Sequence, residues 1–268
     1  CALPISAQAF IAMHWGSEYV AGEGVNVLTT SVTCPQSRQP ELKHTAVRLE
    51  AAELPWQLVA AAWLPADQAF VLRERLRGSF GRLGYASCVP FGREQSVQGT
   101  ARLGVLFRGA AASPDLALLA ELEAALQLAG GPVLRYADAR AAQHRTMRLQ
   151  ADGTLQAFLL AGDVAAQGWV LDLLQQGQPA AAFGRALLAA RAQPPQPLPP
   201  RSPQVCACHD VSEARILQVL AASAGGPDQR LQALQQQLRC GTQCGSCLPA
   251  LRGLVQRQAA LEPAVGTV

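Results

Sequence analysis

Lysine is almost missing from this chain: Lys43 stands alone against 21 arginines in 268 positions. Charge of either sign is sparse, at 15% of residues with a net +3, and aromatic residues make up only 5%. The arginines are scattered and have no aromatics interleaved, which excludes the clustered basic surface that nucleic acid requires. No apolar run approaches the about 18 residues of a membrane span, and no charged-then-apolar leader opens the chain. Nor is there a G-x-G-x-x-G to cradle a pyrophosphate, so a complete flavin or nicotinamide site is not expected. What is abundant is apolar residue, half of the chain, enough for buried cores in two domains.

Cysteine is unevenly placed. Five of the eight fall between Cys206 and Cys247, as Cys206-Ala-Cys208 and, further on, Cys240-Gly-Thr-Gln-Cys244-Gly-Ser-Cys247. Four thiolates in one short segment point to a metal. The best four-ligand choice is Cys206, Cys208, Cys244 and Cys247, with Cys240 spare. A C-x-C pair beside a C-x-x-C pair allows each pair to grip one iron of a [2Fe-2S] cluster, while Gly241 and Gly245 let backbone N–H groups approach sulfur. Zinc on four cysteines uses the same atoms, though C-x-C is the less usual half of such a site. A disulfide framework would need the exported context that the missing leader does not supply.

Between the pairs the spacing predicts helices. Asp210 with Glu213 forms a start signal, and Ile216, Leu217, Val219 and Leu220 follow as an apolar face. Gly225-Gly226-Pro227 stops that helix. Leu231, Leu234 and Leu238 then recur at helical spacing, as do Leu248, Leu251, Leu254 and Val255. The expected module is small and all-helical, with its cysteines in loops at one end. C-x-C-x-D-V-S-E followed by L-x-C-G-T-x-C-G-S-C-x-P-x-L resembles the bacterioferritin-associated-ferredoxin type [2Fe-2S] domain over about 204 to 253. That resemblance implies Cys206, Cys208, Cys244 and Cys247 as ligands and an electron-carrying role.

The first fifty residues alternate short apolar runs with Gly, Pro and polar turns, which reads as β-rich, barrel-like chain. Asn26 has an amide able to read a heterocycle edge, and Lys43 is a point charge suited to phosphate; a turn Asn and a solvated Lys are the bland alternatives. The order M-H-W, N-x-L-T, S-x-Q-P-E-L-K-H-x-A-V-R resembles the C-terminal end of bacterial molybdopterin-dependent nitrate reductases, with Cys34-Pro35 where that family often has Asp-Pro. The resemblance implies a partial barrel over a molybdenum bis(molybdopterin guanine dinucleotide) cofactor, touched by Asn26 and Lys43, with His14 and Trp15 near it.

Assimilatory members of that family can carry the ferredoxin-like module after the molybdenum part, so the two motifs agree in order. The chain opens at Cys1 and meets a strand-like Phe10-Ile11-Ala12-Met13 at once, which suggests a fragment. The resemblance therefore implies the C-terminal part of a cytoplasmic enzyme that reduces nitrate to nitrite. A [4Fe-4S] cluster would lie in the missing N-terminal part, and a reduced flavoprotein or ferredoxin would be the electron donor. No acid–base pair or nucleophile stands out as catalytic, and the fragment is not expected to act alone. The alternatives are a free-standing electron-transfer or iron-mobilisation adaptor and another molybdopterin oxidoreductase.

Residues 54 to 193 read for architecture only. Strands are expected at Trp56 to Leu64, Gly84 to Val89, Ala101 to Phe107 and Pro132 to Tyr136, with helices at Asp67 to Arg77 and Asp115 to Ala129. This β-α-β-β-α-β order suits a split βαβ sandwich. Asp152-Gly153 then signals a hairpin between Arg145 to Gln150 and Leu155 to Leu160, and a helix follows around Trp169 to Leu174. Asp115 reads as a helix cap, Gly162-Asp163 as a turn plus cap, and His144 and His209 as residues without ligand partners. Six prolines in Gln193 to Pro203 predict an extended spacer of roughly 30 Å. The expected organisation is thus mixed α/β and multidomain. It comprises a partial molybdopterin-type β-barrel over 1–53, an α+β domain over 54–193, a linker over 194–203 and the [2Fe-2S] module over 204–256.

Overall fold

The computed structural model describes residues 9–11, 15–41, 45–97, 100–198, 200 and 202–261. The chain divides into two compact units, Cys1–Leu198 and Pro199–Val268.

The first unit is built on a strand buried on both faces. Residues Trp56–Pro65 (β1) read WQLVAAAWLP, an almost unbroken apolar run, and all but Gln57, Trp63 and Pro65 are buried. Such a run belongs to the middle of a covered sheet and not to a face exposed to water. The other strands are Tyr85–Val97 (β2), Thr100–Ala111 (β3), Val133–Asp138 (β4), Gln143–Leu149 (β5) and Leu155–Gly162 (β6). They assemble in the order β2-β3-β1-β6-β5-β4, and every pairing is antiparallel.

The expected split βαβ order is therefore present in part, with one correction. β1 lies between β3 and β6, and the strand over Pro132 to Tyr136 lies at the far edge. Chain order misleads here because the tight turn at Asp152-Gly153 commits β5 and β6 to each other, and the apolar β6 (LQAFLLAG) is the one able to fill a central position.

Alternation along β1 divides two cores. Leu58, Ala60, Ala62 and Leu64 face one core with Leu72, Phe107, Leu118, Leu122 and Leu159, beneath Ala66–Arg77 (α1) and Leu116–Ala125 (α2). Val59 and Ala61 face the other with Met147, Phe158, Leu160, Trp169 and Leu173, beneath Gln167–Gln176 (α3) and the 3-10 segment Ala181–Leu188. Each buried tryptophan satisfies its indole N–H on a backbone carbonyl: Trp56 on Ala142 at 3.1 Å and Trp169 on Arg191 at 2.8 Å. Arg145 is 3% exposed. It donates to the Leu188 carbonyl at 3.0 Å and to Gln143 Oε1 at 2.8 Å, fastening the 3-10 segment to β5.

Local signals hold where a side chain meets its own backbone. Asp115 caps α2 through the Leu118 N–H at 2.9 Å, and Asp152 closes the hairpin through Thr154 N–H and Oγ1 at 2.9 and 2.6 Å. Gly162 takes a φ of 83°, and Asp163 accepts from Ala165 N–H at 2.8 Å. The α3 cap residue itself is Ala166. His144 is not the bland residue expected, since its Nε2 lies 3.0 Å from Glu123 Oε1, which Thr146 also contacts at 2.5 Å, tying β5 to α2.

The expected barrel is not present among the described residues. Residues 15–41 contribute a 3-10 helix, Val25–Leu28, and single bridges at Gly16–Gly24, Val20–Ser87 and Thr33–Pro40. Tyr19 and Ala21 hydrogen-bond along the outer edge of β2, at Cys88 N–H and the Ala86 carbonyl, each at 2.8 Å. That edge would otherwise present unpaired backbone groups. The proline-rich stretch is also not spacer throughout, because Leu198 is half-buried against the second core.

The second unit is not all-helical as expected. A two-stranded ribbon, Gln204–Cys206 (β7) and Val211–Ser212 (β8), precedes the helices Glu213–Ala221 (α4), Pro227–Leu238 (α5) and Leu248–Leu261 (α6). Its core gathers Ile216, Leu220, Leu234, Leu251 and Leu254 with Cys206, Cys240 and Cys247. Ser212, not Asp210, caps α4, accepting from Arg215 N–H at 3.4 Å. Asp210 instead sits in the ribbon turn with a φ of 50° and accepts from Gln204 Nε2 at 2.5 Å. Gly226 precedes Pro227, the first residue of α5, and its N–H returns to Gln229 Oε1 at 3.0 Å.

Candidate metal centre

The ribbon explains the C-x-C spacing. Cys206 ends β7 with its side chain 2% exposed, while Cys208, two residues on in the turn, is half-buried. The C-x-x-C pair lies before α6, where Leu248 N–H bonds the Gly245 carbonyl and Leu251 N–H bonds the Cys247 carbonyl, both at 3.0 Å. Cys244 is exposed and Cys247 is 5% exposed. Each motif thus supplies one inward and one outward sulfur.

The contacts run between motifs, not within them. Cys208 and Cys244 sulfurs lie 3.1 Å apart, and Cys206 is hydrogen-bonded to Cys247. Among the described residues no three His, Cys, Asp or Glu side chains gather closely enough to hold a single metal ion. The arrangement is two sulfur pairs.

Backbone donors surround the inner pair. Burial pushes the Cys206 thiol up, but N–H groups of Gly241, His209 and Cys208 and the Cys247 thiol together hold it below its ordinary value. Burial, followed by the bond to Cys206, raises Cys247. In the outer pair, the Ser246 hydroxyl at 3.1 Å and then Cys208 lower Cys244 to about 7. The shared proton raises Cys208. In each pair one thiol is lowered and its partner raised, and a metal that needs all four as thiolates would release protons on binding.

Gly241 makes the inner arrangement possible. Its φ is 74°, where a side chain is strained, and a Cβ there would also lie 2.5 Å from Leu248 Cδ2, so glycine suits the turn that brings this N–H to both inner sulfurs. The donor set, soft sulfur with backbone N–H support, fits an iron–sulfur cluster. Cys240 is fully buried, and burial, then the charges of Cys206 and Cys247, raises its thiol to about 12. His209 supports Cys206 through its backbone, and its Nε2 is buried without a hydrogen-bond partner.

Residues 204–257 match the family described as the BFD-like [2Fe-2S] binding domain. Over 248 residues the chain is 28% identical to a nitrate reductase of Klebsiella oxytoca, covering 92% of this chain and 25% of that protein. The chain is related to a nitrate reductase and carries a BFD-like [2Fe-2S] domain. It spans about a quarter of the length of that relative. No solved structure is a significant match. The BFD-like domain includes all five clustered cysteines, and the relative's match extends over nearly all of the first unit as well.

The other sequence-derived candidates are placed only in part. His14 and Lys43 lie outside the described residues. Trp15 is half-buried, and its carbonyl accepts from Val25 N–H at 2.9 Å, which sets it beside the 3-10 turn holding Asn26. Asn26 has an exposed side chain, and its carbonyl is taken by Thr29 Oγ1 at 2.7 Å. The sequence reading marked the Gly241 backbone as a donor to sulfur but missed the Ser246 hydroxyl, and only the fold shows which sulfur each serves.

Proposed function

We propose that Cys206, Cys208, Cys244 and Cys247 hold a [2Fe-2S] cluster and that the BFD-like domain is the electron-transfer module of a molybdenum-dependent nitrate reductase. The observation that carries this reading is the pairing of the four sulfurs, one pair buried and one open, inside a domain matched to [2Fe-2S] binding. Two pairs suit two irons, whereas a structural zinc ion draws four ligands around one centre.

When bound, the cluster supplies one-electron transfer. The protein holds it by four thiolates, excludes water from the Cys206 and Cys247 side through Ile216, Leu234 and Leu251, and directs the Gly241 N–H at the inner sulfurs. Cys208 and Cys244 leave the other side open to a redox partner. In this reading Trp15 and Asn26, with His14 and Lys43, belong to the cover of a molybdopterin cofactor. The intact protein would use two electrons and two protons from a reduced donor protein to convert nitrate to nitrite for cytoplasmic assimilation. The nitrate reductase relationship supports that assignment.

The test is anaerobic reconstitution of this chain with iron and sulfide. Two irons and two sulfides per chain, with the visible absorption of a diiron cluster, are expected. A colourless chain that takes up one zinc and no iron would overturn the cluster. Nitrate-dependent oxidation of a reduced dye by the intact protein tests the enzyme assignment separately.

A further inference from the structure

The outer edge of β2 is covered by a stretch far from it in the chain. Residues 15–25 fold back into a closed loop, fastened at its neck by the Val25 N–H on the Trp15 carbonyl at 2.9 Å and by the bridge between Gly16 and Gly24. The neck is tight, since Gly24 has a φ of 85° and a Cβ there would lie 2.9 Å from the Gly16 Cα. A loop whose ends close on each other in this way is a compact unit of its own.

The tip of the loop lies along β2 as a short added strand. Cys88 N–H donates to the Tyr19 carbonyl and Ala21 N–H to the Ala86 carbonyl, each at 2.8 Å, with Val20 bridged to Ser87 between them. Ser87 is consequently only 1% exposed although β2 is an edge strand, and Ala21 packs against the first core. Helix α1 grips the tip from the side. Arg73 donates from Nη2 to the Glu18 carbonyl at 2.8 Å, and its guanidinium carbon stands 5.0 Å from the centre of the Tyr19 ring. This is strand addition, in which backbone bonds give the hold and side-chain contacts the selectivity.

The chain that connects this loop to β1 packs on nothing comparable. Every described residue from 30 to 53 is exposed, and the bridge Thr33–Pro40 is the one backbone ladder contact among them. An exposed connection with so few contacts opens at little cost and cannot fix the position of what it carries.

We propose that the outer edge of β2 and Arg73 form a docking surface for residues 17–21, and that this contact, not the connecting chain, joins residues 15–29 to the sheet. The partner is one short peptide of the same chain, held by backbone pairing and a guanidinium. The consequence for function rests on the cofactor-cover reading above: the loop neck sets Trp15 beside the turn of Asn26, so the joint fixes that cover to the sheet. The joint itself stands without that reading.

Trypsin provides the test, because the first arginine or lysine of the chain is Arg38, exposed within the connecting stretch. Cutting the folded full chain there leaves residues 1–38 whole and free to depart. The expected result is that they stay: the peptide co-elutes with the remainder in native gel filtration and separates only in urea. Arg73→Ala, which removes a charge-assisted bond and a ring contact, should weaken retention on dilution by about tenfold. Arg75→Ala, exposed on the same helix, should retain the peptide like the wild type. Departure of the peptide from the cut wild-type chain overturns the inference, as does undiminished retention in Arg73→Ala. Should Arg73→Ala fail to fold, amide exchange in the uncut wild-type chain decides. Protection of the Ala21 and Cys88 N–H groups while residues 45–53 exchange freely supports the joint, and an Ala21 amide that exchanges as fast as those residues overturns it. Failure of the cofactor reading is distinguishable, because none of these measurements involves a cofactor.

Discussion

Cys208 and Cys244 stand 36 positions apart in the chain, and their sulfurs meet at 3.1 Å. The ribbon turn delivers one and the loop before α6 delivers the other, so this outer pair depends on the second unit's fold as a whole. Replacing either by alanine should empty the site. Iron bound per chain after reconstitution is expected to fall at least several-fold in Cys208→Ala and Cys244→Ala, while Cys34→Ala, remote in sequence and exposed, should bind iron like the wild type.

The metal-free thiols should differ sharply in reactivity, because the thiolate is the nucleophile. Cys244 is lowered to about 7 by the Ser246 hydroxyl and then by Cys208. Its alkylation rate should therefore climb as pH rises through about 7. Cys240, raised to about 12 chiefly by burial, should stay unmodified at the same pH. In Ser246→Ala the Cys244 midpoint should move up toward the ordinary 9.0. Mass spectrometry of alkylated peptides reads all three.

Asp115 tests the cap that links α2 to the sheet. Removing an N-cap carboxylate costs about 1 kcal/mol, and the Arg82 pair, partly exposed on both sides, should add little. The Leu118 N–H, then Arg82, hold the Asp115 carboxyl below its ordinary 3.8. A depressed carboxylate stabilises above its unfolded value and loses that contribution as pH falls through the folded value. Urea unfolding should thus show a constant deficit in Asp115→Ala near neutrality, shrinking only below pH 3.8.

Two glycines with positive φ should respond differently to alanine. At Gly162 (φ 83°) a Cβ would lie 2.6 Å from the Ala142 carbonyl oxygen, whereas at Gly177 (φ 60°) nothing lies within 4 Å. Gly177→Ala should lose about 1 kcal/mol, the strain of a left-handed residue. Gly162→Ala should lose about 2–3 kcal/mol, since backbone must also shift. Thermal melting of the two variants checks the order.

Sequence by itself determined most local structure of the first unit and the residues of the centre. The continuous apolar run of β1, the Asp115 and Asp152 signals and the heptad-like leucines of α4 to α6 act over a few residues, so periodicity and capping chemistry expose them. The five clustered cysteines were legible for the same reason. Only tertiary structure decided that β6 and not β4 lies against β1, that Ser212 displaces Asp210 as a cap, and that Cys206 meets Cys247 while Cys208 meets Cys244. Each of these depends on which distant surface offers the best burial or the nearest donor. Among the described residues of the first fifty, the alternating apolar runs form only isolated bridges, for a related reason: such residues make a strand only when another strand is available to pair with them.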